Sequence, residues 1–181
     1  MKKITLQIIF TCLLLSCSNM NREKTVNKAG LTGRDYRLFQ NTPAWELAKA
    51  VQDEDVKKIT EIVVQEPNLI NYQEPKFGST LLMLTVMNQQ LKPFQTLLER
   101  EADVNIHDTY DGTSAIIEAV KLRDYDIQFA EMLIEKGANV NDVETGERRK
   151  GNGTRNTPLI SAVGSGKMEF VELLVKKWSG Y

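Results

Sequence analysis

The 181-residue chain is predicted to fold as an all-α solenoid of about four helix-turn-helix repeats. Apolar residues recur at helical spacing, the same pair of helical stripes appears four times, and three of the pairs are followed by an apolar residue and an asparagine. With 41% hydrophobic and 26% charged residues, the composition is that of a globular protein. One folded domain, over residues 42–181, is therefore expected after an N-terminal segment of different character.

Charge and residue content exclude several functions. The chain has 23 basic and 24 acidic residues, a formal net charge of -1, so it lacks the basic excess that binds nucleic acid phosphates. One histidine and two cysteines are too few for a zinc site of the usual kind. We expect no cofactor, no metal and no nucleic acid partner.

Residues 1–16 have the organisation of a signal peptide. Two lysines follow Met1, and residues 4–15 form an apolar run of 12 residues, shorter than the roughly 20 that span a bilayer as a helix. The run ends in Leu14-Leu15-Ser16-Cys17, which resembles the bacterial lipobox. That resemblance implies cleavage before Cys17 and lipidation of its sulfur, which would anchor the protein on the periplasmic or outer-membrane face of a bacterial membrane. An ordinary signal peptide with an incidental cysteine is the alternative.

A lipidated Cys17 and a flexible tether are predicted for residues 17–41. Polar residues and glycine dominate this stretch, and neither a helical nor a strand period can be followed through it.

The repeats begin at residue 42, and each contains two helical stripes. The first stripe of each copy has apolar or small residues at positions i, i+3 and i+4, starting at Leu47, Leu82, Ile116 and Leu159. The second stripe follows after a short turn, starting at Val56, Leu91, Ile127 and Met168. Two antiparallel helices joined by a tight turn are the compact solution for this spacing.

Three copies end in an apolar residue followed by asparagine, and an extended polar finger comes next. Thr157-Pro158-Leu159-Ile160-Ser161-Ala162 at the start of the fourth copy, and the loops Glu101-Ala102-Asp103-Val104-Asn105 and Gly137-Ala138-Asn139-Val140-Asn141, resemble the ankyrin repeat family. The resemblance covers residues 42–181 and implies an ankyrin-repeat solenoid with β-hairpin fingers. The histidine of the family's start motif is absent, which puts the rigidity of the fingers in doubt.

Two features distinguish the predicted fold from a regular stack. The finger at 144–156 is longer than the others, basic and glycine-rich, and is either a solvated hairpin or a contact for a partner. At the ends, Trp45 is expected to cap the first repeat. The last repeat is either capped by Trp178 and Tyr181 or open to another protein.

The resemblance implies that partners bind the finger tips and the exposed side of the first helices. Phe77 and Tyr110 are candidate aromatic anchors, although an aromatic ring that packs on its own repeat is the alternative. We expect the protein to be a monomer. The candidate protein-binding residues are Lys76, Phe77, Met87, Asn88, Tyr110, Asp111, Lys121, Leu122, Arg148, Arg149, Thr154, Asn156 and Ser165.

The predicted function is a non-catalytic, membrane-anchored protein-binding module on the extracytoplasmic side. A sharper form is an immunity or inhibitor protein for an exported enzyme or toxin, which only analogy supports. The alternatives are an accessory factor for a periplasmic enzyme such as a peroxidase, or an unrecognised hydrolase. A hydrolase would need converging carboxylates, and the one acidic cluster, Asp53-Glu54-Asp55, falls on a predicted solvated turn.

Overall fold

The computed structural model describes residues 24–121, 124, 126–146 and 155–178. These residues form eight α-helices in four antiparallel pairs, which confirms the predicted all-α repeat architecture. None of the helices in this part of the chain is both long and apolar enough to span a bilayer. The helices are α1 (Trp45–Gln52), α2 (Val56–Gln65), α3 (Leu81–Met87), α4 (Leu91–Glu99), α5 (Ala115–Lys121), α6 (Ile127–Glu135), α7 (Pro158–Ser165) and α8 (Met168–Trp178).

The pairs stack into one elongated core. The first helices α1, α3, α5 and α7 each contact the next in the row, and α2 packs on α4 as α6 packs on α8. Between α4 and α6 the rings of Phe94 and Phe129 meet with centroids 4.7 Å apart. Ala119 and Ala162, on α5 and α7, are completely buried, since small side chains let adjacent helices approach closely.

Side-chain oxygens cap the N-terminal ends of several helices, among them those of Thr80 and Thr157. Thr80 Oγ1 accepts a hydrogen bond from the N–H of Met83 at 3.3 Å, and Thr157 Oγ1 accepts one from Ile160 at 3.2 Å. Such bonds satisfy N–H groups that have no partner within the helix. The helix starts placed by the repeat pattern are therefore supported by local chemistry.

The N-terminal segment differs from the predicted flexible tether. Residues 17–23 lie outside the described part of the chain, but 24–41 are folded against the first repeat, with 3₁₀ turns at Lys28–Gly30 and Tyr36–Phe39. Tyr36, Leu38 and Phe39 are buried, and the second 3₁₀ turn packs on α1. The first repeat is thus covered by this segment, and the predicted cap residue Trp45 is itself buried at the covered end.

Hydrogen bonds hold the N-terminal segment closed upon itself. The Lys28 ammonium donates to the carbonyl oxygens of Leu38 and Gln40, both at 2.6 Å. Gln40 is buried, and its amide donates to Lys24 O at 2.9 Å and accepts from Val26 N–H at 3.0 Å. Buried backbone and amide groups need such partners, so this segment has the bonding of ordered structure.

The fingers at 71–80 and 105–114 do not form the regular β-hairpins that the sequence predicts. Among the described residues there is only one isolated antiparallel bridge, between His107 and Ser114, and no strand. Carboxylates take the backbone N–H groups instead, and Glu74 accepts from Phe77 at 2.7 Å. Asp108 likewise accepts from Tyr110 at 2.8 Å. N–H groups bonded to a side chain in this way do not join a ladder of backbone bonds.

Candidate binding surface

The fingers at 71–80, 105–114 and 141–146 lie side by side along the stack and form, with the first helices, a surface that we call the finger side. Hydrogen bonds join neighbouring fingers: Thr109 N–H donates to Phe77 O at 2.8 Å, and Gly146 N–H donates to Asp111 O at 3.0 Å. The fingers are therefore linked into one continuous surface.

Gly112 makes the second of these links possible. Its φ of +66° lies in the left-handed region, and a Cβ atom there would be 2.0 Å from the backbone nitrogen of Gly146. Only glycine fits where two backbones approach so closely. A side chain at position 112 would therefore separate the second and third fingers.

The two candidate anchors form an aromatic pair. The rings of Phe77 and Tyr110 meet edge to face, with centroids 5.1 Å apart and an interplanar angle of 90°. Phe77 is half-buried against the core, whereas Tyr110 is 42% exposed. Phe77 thus packs on its neighbours, and Tyr110 presents the aromatic surface to solvent.

Lys76, another candidate contact, is engaged inside the chain. Its ammonium donates to the carbonyl oxygens of Lys28, Ala29 and Leu31 at 2.9, 2.8 and 2.8 Å. The same nitrogen lies 4.6 Å from the centroid of the Phe77 ring. Lys76 therefore ties the first finger to the N-terminal segment, a role for which the sequence offered no signal.

Two other candidates on the first helices also have partners. The Asn88 amide donates to Arg34 O at 2.9 Å, again in the N-terminal segment. The Lys121 ammonium lies 3.2 Å from Glu118 Oε2, one turn earlier on α5. Met87 is half-buried and has a part of its surface accessible on the finger side.

The structure corrects the placement of Ser165. It is buried, and its hydroxyl donates to Ala162 O at 2.8 Å within α7, so it offers no surface to a partner. Asn156 donates to the buried carboxylate of Glu144 at 2.9 Å and holds the base of the third finger. Asp111 remains at the second finger tip. Four further candidates, and the candidate lipidation site, lie outside the described residues: Leu122, Arg148, Arg149, Thr154 and Cys17.

A small hollow on the finger side contains polar atoms that the sequence did not single out. Ser114 Oγ is buried without a hydrogen-bond partner, and the buried Glu118 Oε2 has the Lys121 ammonium 3.2 Å away. The hollow has a volume of about 30 Å³, enough for one water molecule or one donor group. Its lining residues are Ser79, Met83, Met87, Asp108, Thr113, Ser114 and Glu118.

An open polar groove of about 610 Å³ runs between the N-terminal segment and the turns after α1 and α3. The Tyr36 hydroxyl donates to Gln90 in it, and burial raises the pKa of Tyr36 above its ordinary range. Nearby, the hydrogen bond from Arg37 lowers the pKa of Asp35. The groove is lined by Thr32, Arg34, Asp35, Tyr36, Arg37, Gln52, Asn88 and Gln90.

His107 links neighbouring fingers. Its Nε2 atom lies 2.9 Å from Oδ1 of the largely buried Asp142 in the next finger. Within the described ranges, no group of three or more histidine, cysteine or acidic residues is arranged to hold a metal ion.

A family model described as ankyrin repeats, in three copies, matches residues 47–144, which is more than half of the chain. The chain belongs to the ankyrin repeat family. The pair α7–α8 lies beyond the matched range, yet it packs on α5 and α6 as a fourth ankyrin repeat. No curated protein matches the chain. The ankyrin repeats indicate a protein–protein interaction module, in a family that is typically non-catalytic.

Proposed function

We propose that this ankyrin repeat protein is a membrane-anchored, extracytoplasmic module that binds another protein through its finger side and has no catalytic activity of its own. The observation that carries the proposal is the exposed ring of Tyr110, which packs edge to face against the half-buried ring of Phe77. A tyrosine held in this way offers a large apolar area at a small cost in side-chain entropy.

The hollow between the second and third repeats supports the same surface. Met83 and Met87 offer adaptable apolar contacts, since methionine side chains repack easily. The buried hydroxyl of Ser114 lacks a hydrogen-bond partner, and a polar group from a bound protein would satisfy it. Exposed aromatic area beside adaptable methionine side chains and one unsatisfied hydroxyl group is a combination that favours protein binding.

The anchor in this proposal is Cys17, supported by the basic start, the apolar run and the lipobox-like residues. The described part of the chain begins at Lys24, seven residues after Cys17. Seven residues span at most about 25 Å when fully extended. Lipidation of Cys17 would therefore keep the N-terminal end of the stack close to the membrane and leave the later repeats further away.

The finer form of the proposal is an immunity or inhibitor role, in which the bound protein is an exported enzyme or toxin held inactive. Small exported proteins with a single binding module often act in this way, and this analogy is its support. Inhibition of the captured partner by the purified module would distinguish this role from that of an accessory factor, which would leave the partner active or activate it.

Tyr110→Ala tests the binding surface. We expect the variant to weaken capture of the native partner from solubilised membranes about tenfold to hundredfold, because truncated aromatic anchors cost about 1–3 kcal/mol. Val64→Ala, an exposed change on α2, is the control. Circular dichroism checks the fold of both variants, and full capture by Tyr110→Ala would show that the finger side is not the interface.

Mass spectrometry of protein extracted from membranes tests the anchor. We expect a mature chain that starts at Cys17 and carries the mass of the lipid. Cys17→Ala should leave the membrane fraction. An unmodified start at another residue, or a Cys17→Ala protein that remains with the membranes, would contradict the anchor and leave the binding proposal standing.

A further inference from the structure

The hollow of about 30 Å³ on the finger side is bounded by the first and second fingers and by helices α3 and α5. Five of the seven residues that line it carry side-chain oxygen atoms, and the other two are methionines. No lysine or arginine is among these described lining residues. Because oxygen atoms accept hydrogen bonds, the hollow suits a group that donates them.

Ser114 distinguishes this hollow from the equivalent places in the stack. It precedes α5 as Thr80 precedes α3 and Thr157 precedes α7. The hydroxyls of Thr80 and Thr157 each accept an N–H of their own helix. The Ser114 oxygen, in a residue that is 1% exposed, has no hydrogen-bond partner. A buried hydroxyl in this state destabilises the fold, and a ligand that bonds to it would remove that effect.

Two carboxylates give the hollow a negative charge. Asp108 Oδ1 accepts hydrogen bonds from three backbone N–H groups of its own finger at 2.7–3.1 Å, which leaves Oδ2 for another donor. Glu118 Oε2 is buried and has the Lys121 ammonium 3.2 Å away. Lys121 thus balances one of the two carboxylates. One negative charge remains at a half-buried site, where water screens it only in part.

Size and apolar contacts select among the cationic side chains. A volume of about 30 Å³ holds one water-sized group, which fits the compact ammonium of lysine and not the planar guanidinium of arginine. Met83 is buried and Met87 is half-buried in the same lining. Thioether side chains adapt to an aliphatic stem, and lysine combines such a stem with three N–H donors and no acceptor.

The hollow lies next to Tyr110 in the second finger, since Asp108 Oδ1 accepts the Tyr110 N–H at 2.8 Å. The ring of Tyr110 is exposed beside Phe77. A protein that contacts this ring can therefore place a long side chain in the hollow at the same time.

We propose that the hollow receives the ammonium group of a lysine side chain from the bound protein. The ammonium donates to Ser114 Oγ and to carboxylate oxygens of the lining, and the aliphatic stem packs on the two methionines. This inference rests on the proposed binding of a protein by the finger side, and it names the chemistry that the partner presents there.

The first experiment asks whether the Ser114 hydroxyl serves the fold. Thr157→Val should lower the urea midpoint, because it removes a hydroxyl that caps a helix. Ser114→Ala should keep the wild-type midpoint or raise it, because the hydroxyl that it removes has no partner. A Ser114→Ala midpoint as low as that of Thr157→Val would overturn the proposal.

The second experiment is an NMR titration of the purified full chain, in a non-ionic detergent, with n-butylammonium as a lysine side-chain probe. We expect saturable shifts of the N–H signals of Ser114 and Glu118. The dissociation constant should be about tenfold lower than that of 1-butanol, because a charged donor forms the stronger hydrogen bonds. n-Butylguanidinium should bind as weakly as 1-butanol. Absence of the saturable shifts, or equal affinities for n-butylammonium and 1-butanol, would contradict the assignment.

Variants of the lining locate the probe. Ser114→Val fills the hollow and should raise the dissociation constant of n-butylammonium about tenfold, because it also removes an acceptor. Ser161→Val, at a half-buried position on α7, is the control and should bind like the wild type. Glu118→Gln should weaken binding of n-butylammonium but not of 1-butanol, and circular dichroism confirms that each variant is folded. If folded Ser114→Val and Glu118→Gln bind n-butylammonium as tightly as Ser161→Val, the site is not this hollow.

Tyr110→Ala separates this inference from the proposed function. The variant should bind n-butylammonium like the wild type, because its ring is not part of the lining, although it should capture the native partner poorly. Loss of capture without any binding of n-butylammonium would exclude the ammonium site and leave the finger side as the interface. Full capture by Tyr110→Ala together with binding of n-butylammonium would exclude the finger side as the interface, and with it a lysine of the partner in the hollow.

Discussion

Lys76→Met is expected to release the N-terminal segment without unfolding the repeats. Methionine retains an apolar stem of similar length against Phe77, but it cannot donate to the three carbonyl oxygens that the Lys76 ammonium contacts at 2.8–2.9 Å. These carbonyls belong to Lys28, Ala29 and Leu31, so the whole effect should fall on the first 3₁₀ turn and its surroundings.

The loss of stability in the N-terminal segment follows from the number and exposure of the hydrogen bonds that Lys76→Met removes. A hydrogen bond from a charged donor contributes about 1.5–3 kcal/mol when well buried, and less when water competes for the carbonyl. One of the three bonds is exposed and two are partly buried. Counting roughly 0.5–1 kcal/mol for each gives about 1.5–3 kcal/mol, which corresponds to an increase of tenfold or more in local opening.

Hydrogen exchange measured by NMR reads this opening directly. The N–H groups of Val26, bonded to Gln40, and Leu31, bonded to Lys28 O, should exchange at least tenfold faster in Lys76→Met. The N–H of Ile59 in α2 should keep its rate. Lys57→Met, at an exposed position on α2, is the matched control. Equal protection of Val26 and Leu31 in the two variants would refute the argument.

Other predictions concern the core, the groove and the first finger. Ala119→Leu should lower the free energy of unfolding by about 1–3 kcal/mol through overpacking between α3, α5 and α7, and an unchanged urea midpoint would count against this packing. Because burial raises the pKa of Tyr36, the contribution of its hydroxyl to the free energy of unfolding is fully present below about pH 10 and is lost as the pH rises further. Tyr36→Phe should lower the free energy of unfolding by about 1 kcal/mol at pH 7, and it should reduce the loss of stability at alkaline pH that urea titrations measure. An equally steep loss in the variant would show that Tyr36 is not its source. Glu74→Gln should lower the free energy of unfolding by about 1–3 kcal/mol, because the buried Glu74 carboxylate accepts hydrogen bonds from three backbone N–H groups. An unchanged melting curve would show that these bonds do not stabilise the fold.

The repeat itself was predictable because its signal is periodic. Leu47, Leu82 and Ile116 stand at the same place in three successive stripes, and all three are buried in the stack. Helix starts were predictable from local sequence, since a threonine before an apolar run commonly caps the N-terminus of a helix, as Thr80 and Thr157 both do. Periodic burial and local capping are properties that a sequence states directly.

Features that depend on distant or irregular contacts were not predictable. Tyr36, Leu38 and Phe39 fit neither a helical nor a strand period, so the segment that contains them was predicted to be a flexible tether, although all three are buried. The partners of Lys76 lie 45–48 residues away along the chain. Ser165 occupies the same repeat position as Asn88, so it was expected at the surface. Its short hydroxyl side chain instead donates to Ala162 O in its own helix, whereas the Asn88 amide donates to Arg34 O in the N-terminal segment.

The cover over the first repeat has a consequence for the order in which the chain can fold. Lys28 finds its carbonyl partners only 10 and 12 residues later, but Lys76 comes 45–48 residues after the carbonyls it contacts, and Gln90 comes 54 residues after Tyr36. A chain that emerges from its N-terminus, at a ribosome or through a membrane, can therefore pack Leu38 and Phe39 on α1 early, but it lacks the bonds of Lys76 and Gln90 until the second repeat has appeared. During that interval the N-terminal segment is held only by its own contacts and by the first repeat, so local opening of this end depends on how quickly residues 76–90 follow.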